Sequence, residues 1–369
     1  MDRRPFLLAL STASVLALAA CAAPVTGDPE PVPTGASSAT EQPSAGPVQP
    51  VGEPEVVAEG FDVPWSVVPL GDGGALVSER GTALVKQVLP DGSVREVAQV
   101  PGVEPAGEGG LLGLARLDDG DSVWLYAYLT AASDNRVVRM PLTGDPARLA
   151  LGEPEVVLEG IAKNSTHNGG RIAFGPDGML YVTAGDAQQR DAAQDPASLS
   201  GKILRIAPDG TVPADNPFPG SAVYSIGHRN PQGIAWDDGG QLWAAEFGQN
   251  TWDEFNVIRP GANYGWPVVE GIGDDPAYVN PVYQWSTSEA SPSGLAFVDG
   301  TFFLAALRGQ RVWAIYTDTG EASAVPWFEG EFGRIRDVTR GPDGALWFLT
   351  NDTGNDRLMR VGLGPLQEG

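Results

Sequence analysis

A single cysteine, Cys21, occurs in 369 residues, so no disulfide can form within one copy of the chain. Histidine is almost as scarce: His167 and His228 are the only two available for acid–base work near neutral pH. Basic residues are few, with Lys and Arg totalling 23 against 47 Asp and Glu, for a formal net charge of −24. That balance disfavours nucleic acid and anionic membrane surfaces as partners. It also makes any cluster of arginines an exception that needs a reason. No long stretch carries apolar residues at helical spacing, which argues against a helical fold. There is no His-Glu-x-x-His zinc motif, no evident Ser/His/Asp order, and no phosphate-cradling loop that opens a helix.

The start of the chain is basic, then apolar through Ala20, and Leu18-Ala-Ala-Cys21 follows. That is the form of a signal peptide over residues 1–20. Leu-Ala-Ala-Cys resembles the lipobox of bacterial lipoproteins, which implies a lipid anchor on Cys21 and export to the cell surface or periplasmic face. Arg3-Arg4-Pro-Phe-Leu also resembles a twin-arginine export signal. From Ala22 to Pro54 there is no Lys or Arg, and Pro, Ser, Thr, Gly, Ala and Glu dominate. Such a composition cannot bury enough apolar surface to offset chain entropy, and its prolines keep it extended. Residues 21–54 therefore read as the lipidated cysteine and a disordered, Pro-rich tether.

The texture changes at Glu55. Short apolar runs alternate with turns rich in Gly, Asp and Pro, a counterpart of the 48 glycines and 32 prolines in the chain. One hairpin pattern recurs, with turn aspartates at Asp72, Asp119, Asp177, Asp238, Asp299 and Asp343, at intervals of 47, 58, 61, 61 and 44 residues. Six copies at a period close to one four-stranded sheet mark a repeat architecture. The expected fold is all-β: a six-bladed β-propeller of four-stranded antiparallel sheets over residues 55–366. The uneven intervals place loop insertions between Asp119 and Asp299.

Propeller ligands sit at the channel mouth, on loops from several blades. Five loops stand out. Thr166-His167-Asn168-Gly169-Gly170 offers a base, because neutral imidazole accepts a proton from an alcohol. Gly227 to Gly233 supplies the cation of Arg229 and the amide of Asn230 on a turn before a strand. Arg334 and Arg336 alternate on an expected strand and so point together, which suits a bound polyanion. Arg308 closes another hairpin strand. The run from Glu246 to Glu254 gathers glycine, carbonyls and carboxylates that could hold a hard cation such as Ca²⁺. These residues alone do not name a reaction.

The ordered set of islands does more. Gly109-Gly-Leu-Leu-Gly113, His167-Asn-Gly-Gly-Arg171, Gly185-Asp186, Leu199-Ser-Gly-Lys-Ile-Leu-Arg205, Gly227-His-Arg-Asn-Pro-Gln-Gly233, Glu246-Phe-Gly248, Asp253-Glu-Phe-Asn256, Asn263-Tyr-Gly-Trp-Pro267 and Arg334-Ile-Arg336-Asp337 occur in sequence. Together they resemble the soluble quinoprotein aldose sugar dehydrogenases of the glucose/sorbosone dehydrogenase family. The resemblance implies pyrroloquinoline quinone (PQQ) and Ca²⁺ as cofactors, an aldose as substrate, a lactone as product and an external electron acceptor. It implies His167 as the base toward the anomeric hydroxyl and Arg229 beside the reacting quinone oxygens. Asn230, Arg308, Arg334 and Arg336 would contact the cofactor, and the backbone carbonyls of Gly248 and Gln249 would hold the metal. Glu108 stands where the family often has a sugar-binding glutamine, Arg308 where it often has lysine, and Gln249 where some members have proline. Two other classes are a calcium-dependent lactonase-type hydrolase and a non-catalytic binding propeller. The first needs carboxylate and Asn ligands converging on the channel, where the candidates here are mostly arginines. The second would leave the phenotype indifferent to His167→Ala.

Overall fold

Each of the six hairpins becomes the first two strands of an antiparallel sheet. The pairs are Pro64–Pro69 with Ala75–Glu79, Leu111–Asp118 with Val123–Thr130, and Ile172–Phe174 with Leu180–Ala184. Pro231–Trp236 with Leu242–Glu246, Pro292–Val298 with Thr301–Ala306, and Ile335–Arg340 with Leu346–Thr350 complete the set. The computed structural model describes residues 46–317, 320–352 and 354–367. The six sheets are the blades of a β-propeller, as the repeat predicts.

The turns are local chemistry. Asp72 accepts from the Gly74 amide at 3.0 Å, Asp119 from Ser122 at 2.7 Å, Asp177 from Met179 at 3.1 Å and Asp343 from Ala345 at 3.2 Å. Such Asx turns fold the chain back without help from the rest of the protein. In the fourth blade the role falls to Asp237, which accepts from Gln241 at 2.9 Å, rather than to Asp238. In the fifth, Asp299 itself takes φ 45° ahead of Gly300.

Apolar residues on both faces of the central strands pack between blades. Between the fourth and fifth, Phe302 lies 5.0 Å from Trp243 and 5.2 Å from Phe255, all buried. The insertions fall where the intervals are long. The second blade gains a fifth strand, Arg148–Leu151, beside Asn135–Asp145. The third carries the short 3₁₀ turn Arg190–Gln194, and the fourth the segment that bears Trp266 and Glu270, between its strands Trp252–Ile258 and Tyr283–Ser286.

One boundary differs from the sequence reading. The propeller begins at Val48, not Glu55: strand Val48–Phe61 is the outermost strand of the sixth blade and pairs with Asp356–Pro365. Its backbone is satisfied by that pairing, and the Val48 amide and carbonyl are both bonded to Thr301 Oγ1 at 2.8 Å. The stretch looks like linker because half of its residues are exposed. Only distant partners make it a strand. The expected signal peptide, the lipidated Cys21 and the first part of the tether lie outside the described residues. Among the described residues no helix is long and apolar enough to cross a membrane.

Candidate active site

The first strands of the blades converge at the propeller axis, where a polar network links five of them. Arg171, just before strand Ile172–Phe174, donates to Asp337 Oδ2 at 2.9 Å, to the Gln232 carbonyl at 2.9 Å and to Ser66 Oγ at 3.4 Å. Arg336 donates to Gln232 Oε1 at 2.9 Å and to Ser293 Oγ at 3.2 Å. Trp65 lies under both guanidinium groups, 4.4 Å from Arg171 and 5.7 Å from Arg336. Residues far apart in sequence are thus fixed relative to one another before any ligand arrives.

His167 stands on the loop in front of Arg171. Its φ is 59°, a left-handed conformation uncommon for histidine. Three contacts hold it there. Its amide donates to Glu108 Oε2 at 2.9 Å, its carbonyl accepts from the Ala187 amide at 3.1 Å, and its Nδ1 lies 2.8 Å from Asp186 Oδ1. A Cβ on Gly185 would stand 2.0 Å from the His167 carbonyl oxygen, so only glycine lets the segment carrying Asp186 come this close.

Asp186 is fully buried and accepts three hydrogen bonds. Besides His167, it accepts from the Gln188 amide at 2.8 Å and from Trp266 Nε1 at 2.9 Å. Burial alone would raise its pKa, but these hydrogen bonds and the His167 charge outweigh it and hold the carboxyl below its ordinary value. Asp186 is therefore an ionised acceptor, so the His167 proton sits on Nδ1 and the lone pair on Nε2. That is the arrangement of a general base with a fixed tautomer.

Arg229 and Asn230 close the other side. The Arg229 carbonyl accepts from the Asp186 amide at 2.7 Å, and its guanidinium lies 5.5 Å from the Trp266 ring. Burial lowers the guanidinium pKa, against the pull of Asp186 and Glu246. Asn230 Oδ1 accepts from the Gly169 amide at 3.0 Å, tying this turn to the histidine loop. His228, just before them in sequence, is no site residue. It is fully buried, bonded to Glu246 Oε2 and Ser225 Oγ at 2.8 Å each, and stacked 4.7 Å from Tyr264.

Arg80, Arg334 and Arg171 form an electrostatic cluster with Arg336. Burial and the like charges of Arg80, Arg334 and Arg171 push Arg336 down to about 9. Arg334 lies just ahead of strand Ile335–Arg340, whose pairing shifts between Ile335 and Asp337, so the two arginines do not alternate on one regular strand. Arg308 is exposed and makes no hydrogen bond or ion pair within the described residues. Arg229 Nε and Arg336 Nε are buried without a partner among the described residues. Unpartnered buried donors, that of Arg336 among other arginines and that of Arg229 among carboxylates, fit a planar polyanion such as PQQ.

Gly248 and Gln249 lie in the turn before strand Trp252–Ile258. Neither carbonyl accepts a backbone or side-chain hydrogen bond among the described residues. A Cβ on Gly248 would meet the Trp252 oxygen at 1.8 Å, so the turn is too tight for any other residue. No group of three or more His, Cys, Asp or Glu side chains converges as a metal cage among the described residues. Two unoccupied backbone oxygens suit a hard cation such as Ca²⁺, with its other ligands coming from elsewhere.

The structure thus brings together His167, Glu108, Arg229 and Asn230, with Arg334 and Arg336 in one electrostatic cluster. Glu108 is expected to face the sugar; one of its oxygens anchors the backbone of His167. Asp186, Trp266, Arg80 and Arg171 have no role in the sequence reading. Asp186, Trp266 and Arg171 lie inside the quoted islands, but only contacts across blades show what they do.

The family described as Glucose / Sorbosone dehydrogenase matches residues 61–360. The chain is similar to the PQQ-bound form of an aldose sugar dehydrogenase from Streptomyces coelicolor, at 46% identity and TM-score 0.80, over 87% of this chain and 99% of that one. It is 31% identical to the aldose sugar dehydrogenase YliI of Escherichia coli, over 82% of this chain and 91% of that protein. It is 32% identical to quinoprotein glucose dehydrogenase B of Acinetobacter calcoaceticus, over 64% of this chain and 56% of that protein.

Proposed function

This chain belongs to the glucose/sorbosone dehydrogenase family, and from that premise we propose that it oxidises aldose sugars at the anomeric carbon to lactones, with PQQ and Ca²⁺ as cofactors and His167 as the base. The observation that carries the reading is the buried Asp186 behind His167, which accepts three hydrogen bonds and leaves Nε2 free.

When bound, PQQ supplies a quinone that takes up the two electrons of the anomeric hydride, and Ca²⁺ supplies Lewis-acid polarisation. His167 Nε2 accepts the proton of the anomeric hydroxyl as the C1–H bond breaks and the C1=O bond of the lactone forms. Asp186 stabilises the imidazolium so produced. Arg229 holds a fixed positive charge where negative charge develops. Arg334, Arg336 and Arg308 would hold the cofactor carboxylates, and Asn230 would contact the cofactor. The carbonyls of Gly248 and Gln249 would hold the cation. The free oxygen of Glu108 accepts a sugar hydroxyl. An external acceptor then takes the two electrons. The lipobox-like Cys21 and the residues between it and Val48 fit an exported, lipid-anchored enzyme with its propeller outside the cytoplasm.

The test is reconstitution. Purified apo-protein with PQQ, Ca²⁺ and an electron-accepting dye is expected to convert aldoses to lactones, and to lose activity when either cofactor is withheld. Dye-independent hydrolysis of lactones without PQQ, or no PQQ binding at all, would sink the proposal.

A further inference from the structure

Glu270 lies four residues beyond Trp266, and the mechanism above gives it no task. Its Oε1 accepts from four consecutive backbone amides, those of Gln249 at 2.6 Å, Asn250 at 3.0 Å, Thr251 at 3.1 Å and Trp252 at 3.3 Å. In a planar trans peptide the N–H of one residue points opposite to the carbonyl of the residue before it. Drawing the Gln249 and Asn250 amides onto Glu270 therefore turns the Gly248 and Gln249 carbonyls away from it. The neighbouring plane is fixed as well. The Gly248 amide donates to Asp253 Oδ1 at 2.8 Å, and the Phe247 carbonyl accepts from Arg229 Nη1 at 3.2 Å.

We propose that Glu270 is the positioning residue of the cation loop: its carboxylate sets the peptide planes so that the Gly248 and Gln249 carbonyls present their oxygens to Ca²⁺. This rests on the calcium reading of the site. Glu270 acts through the backbone and does not ligate. Because Trp266 holds Asp186 and Glu270 holds the cation loop, the segment 266–270 aligns the base and the metal together.

Two substitutions separate position from charge. Glu270→Gln keeps the length and one acceptor oxygen but loses the charge. Glu270→Asp keeps the charge but is one methylene short of the amides. Ca²⁺ is titrated into protein held with excess PQQ, and the cofactor absorbance is followed with no sugar present. Outer-shell partners of metal ligands are worth about 10- to 100-fold in affinity. Glu270→Asp is expected to weaken Ca²⁺ binding by about that factor, and Glu270→Gln by less than about threefold. If the role were Coulombic attraction, the order would reverse. A reversed order, equal losses or no change in either variant overturns the proposal. Failure of the wild-type protein to respond to Ca²⁺ removes the calcium reading and this inference together, so the two failures are distinguishable.

Discussion

Asp186→Asn tests the link between the base and its support, because it removes a charge while keeping the shape. Two orientations of the new amide are open. With its oxygen toward His167 and Gln188, it keeps two of the three hydrogen bonds and sets its NH₂ against Trp266 Nε1–H. The reverse keeps only the indole bond and leaves two donors unmet. The first orientation costs less, so Nδ1 of His167 still carries the proton and the tautomer survives. What disappears is the charge facing the imidazolium. Two unit charges about 4 Å apart, at an effective dielectric near 20, interact by about 4 kcal/mol. If half to all of that develops in the transition state, kcat falls by about 30- to 1000-fold. The sugar KM should change little, since no substrate contact is lost. The unmet indole N–H costs about 1–3 kcal/mol of stability. The assay is steady-state dye reduction by the reconstituted enzyme, run for Asp186→Asn, His167→Ala and the double variant. Residues that act as a unit are not additive, so Asp186→Asn should cost almost nothing once His167 is gone. A kcat within threefold of wild type, or a full extra loss in the His167→Ala background, would refute the Asp186–His167 unit.

Four further outcomes are expected. Asp186 has a depressed pKa in the folded state, so its stabilising contribution is full above the unfolded value near 3.9 and is lost as pH falls through the lowered one. The stability gap between wild type and Asp186→Asn, from urea unfolding, should therefore stand near pH 7 and close below about pH 4; a gap that widens on acidification contradicts this. Arg80→Gln and Arg334→Gln each remove a cation from the cluster around Arg336 and should weaken PQQ binding by about 10- to 100-fold, the range of a charge-assisted contact. Arg360→Gln, on the surface, is the control, and equal losses there would speak against a dedicated anion site. A chain beginning at residue 46 should fold and bind cofactor, whereas one beginning at 62 lacks the closing strand and should give no cooperative melt. Phe302→Ala should cost about 3–5 kcal/mol by calorimetry while leaving PQQ affinity unchanged, because it empties the packing between two blades and touches no site residue.

The parts of this fold legible in sequence are the local ones. Each Asp/Gly hairpin is specified by residues within a few positions of the turn, and counting them gives the blades. The closing strand Val48–Phe61 is the opposite case. Its composition resembles a linker, and its partners lie about 300 residues away in sequence, at Asp356–Pro365. The site divides the same way. His167, Arg229 and Asn230 sit in polar loops that catch the eye. Asp186 follows strand Leu180–Ala184 and reads as a turn aspartate until Trp266 and His167 are seen on its two oxygens. Arg80 draws no notice alone, and gains meaning only from Arg334 and Arg336 on the adjoining blade. Glu270 carries no motif, since what it recognises is backbone. Charge scarcity remains the most useful clue: in a chain at −24, arginines drawn together at one axis need an anion.

The most direct measurement is anaerobic and single-turnover. Protein loaded with one equivalent of PQQ and excess Ca²⁺ is mixed with an aldose, and the absorbance of the oxidised cofactor is followed. Wild type should lose that signal stoichiometrically and form one equivalent of lactone, and His167→Ala should do so about 10²- to 10⁴-fold more slowly. An unchanged spectrum in the wild-type protein across a panel of aldoses, or an undiminished rate in His167→Ala, would contradict base-assisted oxidation at this site.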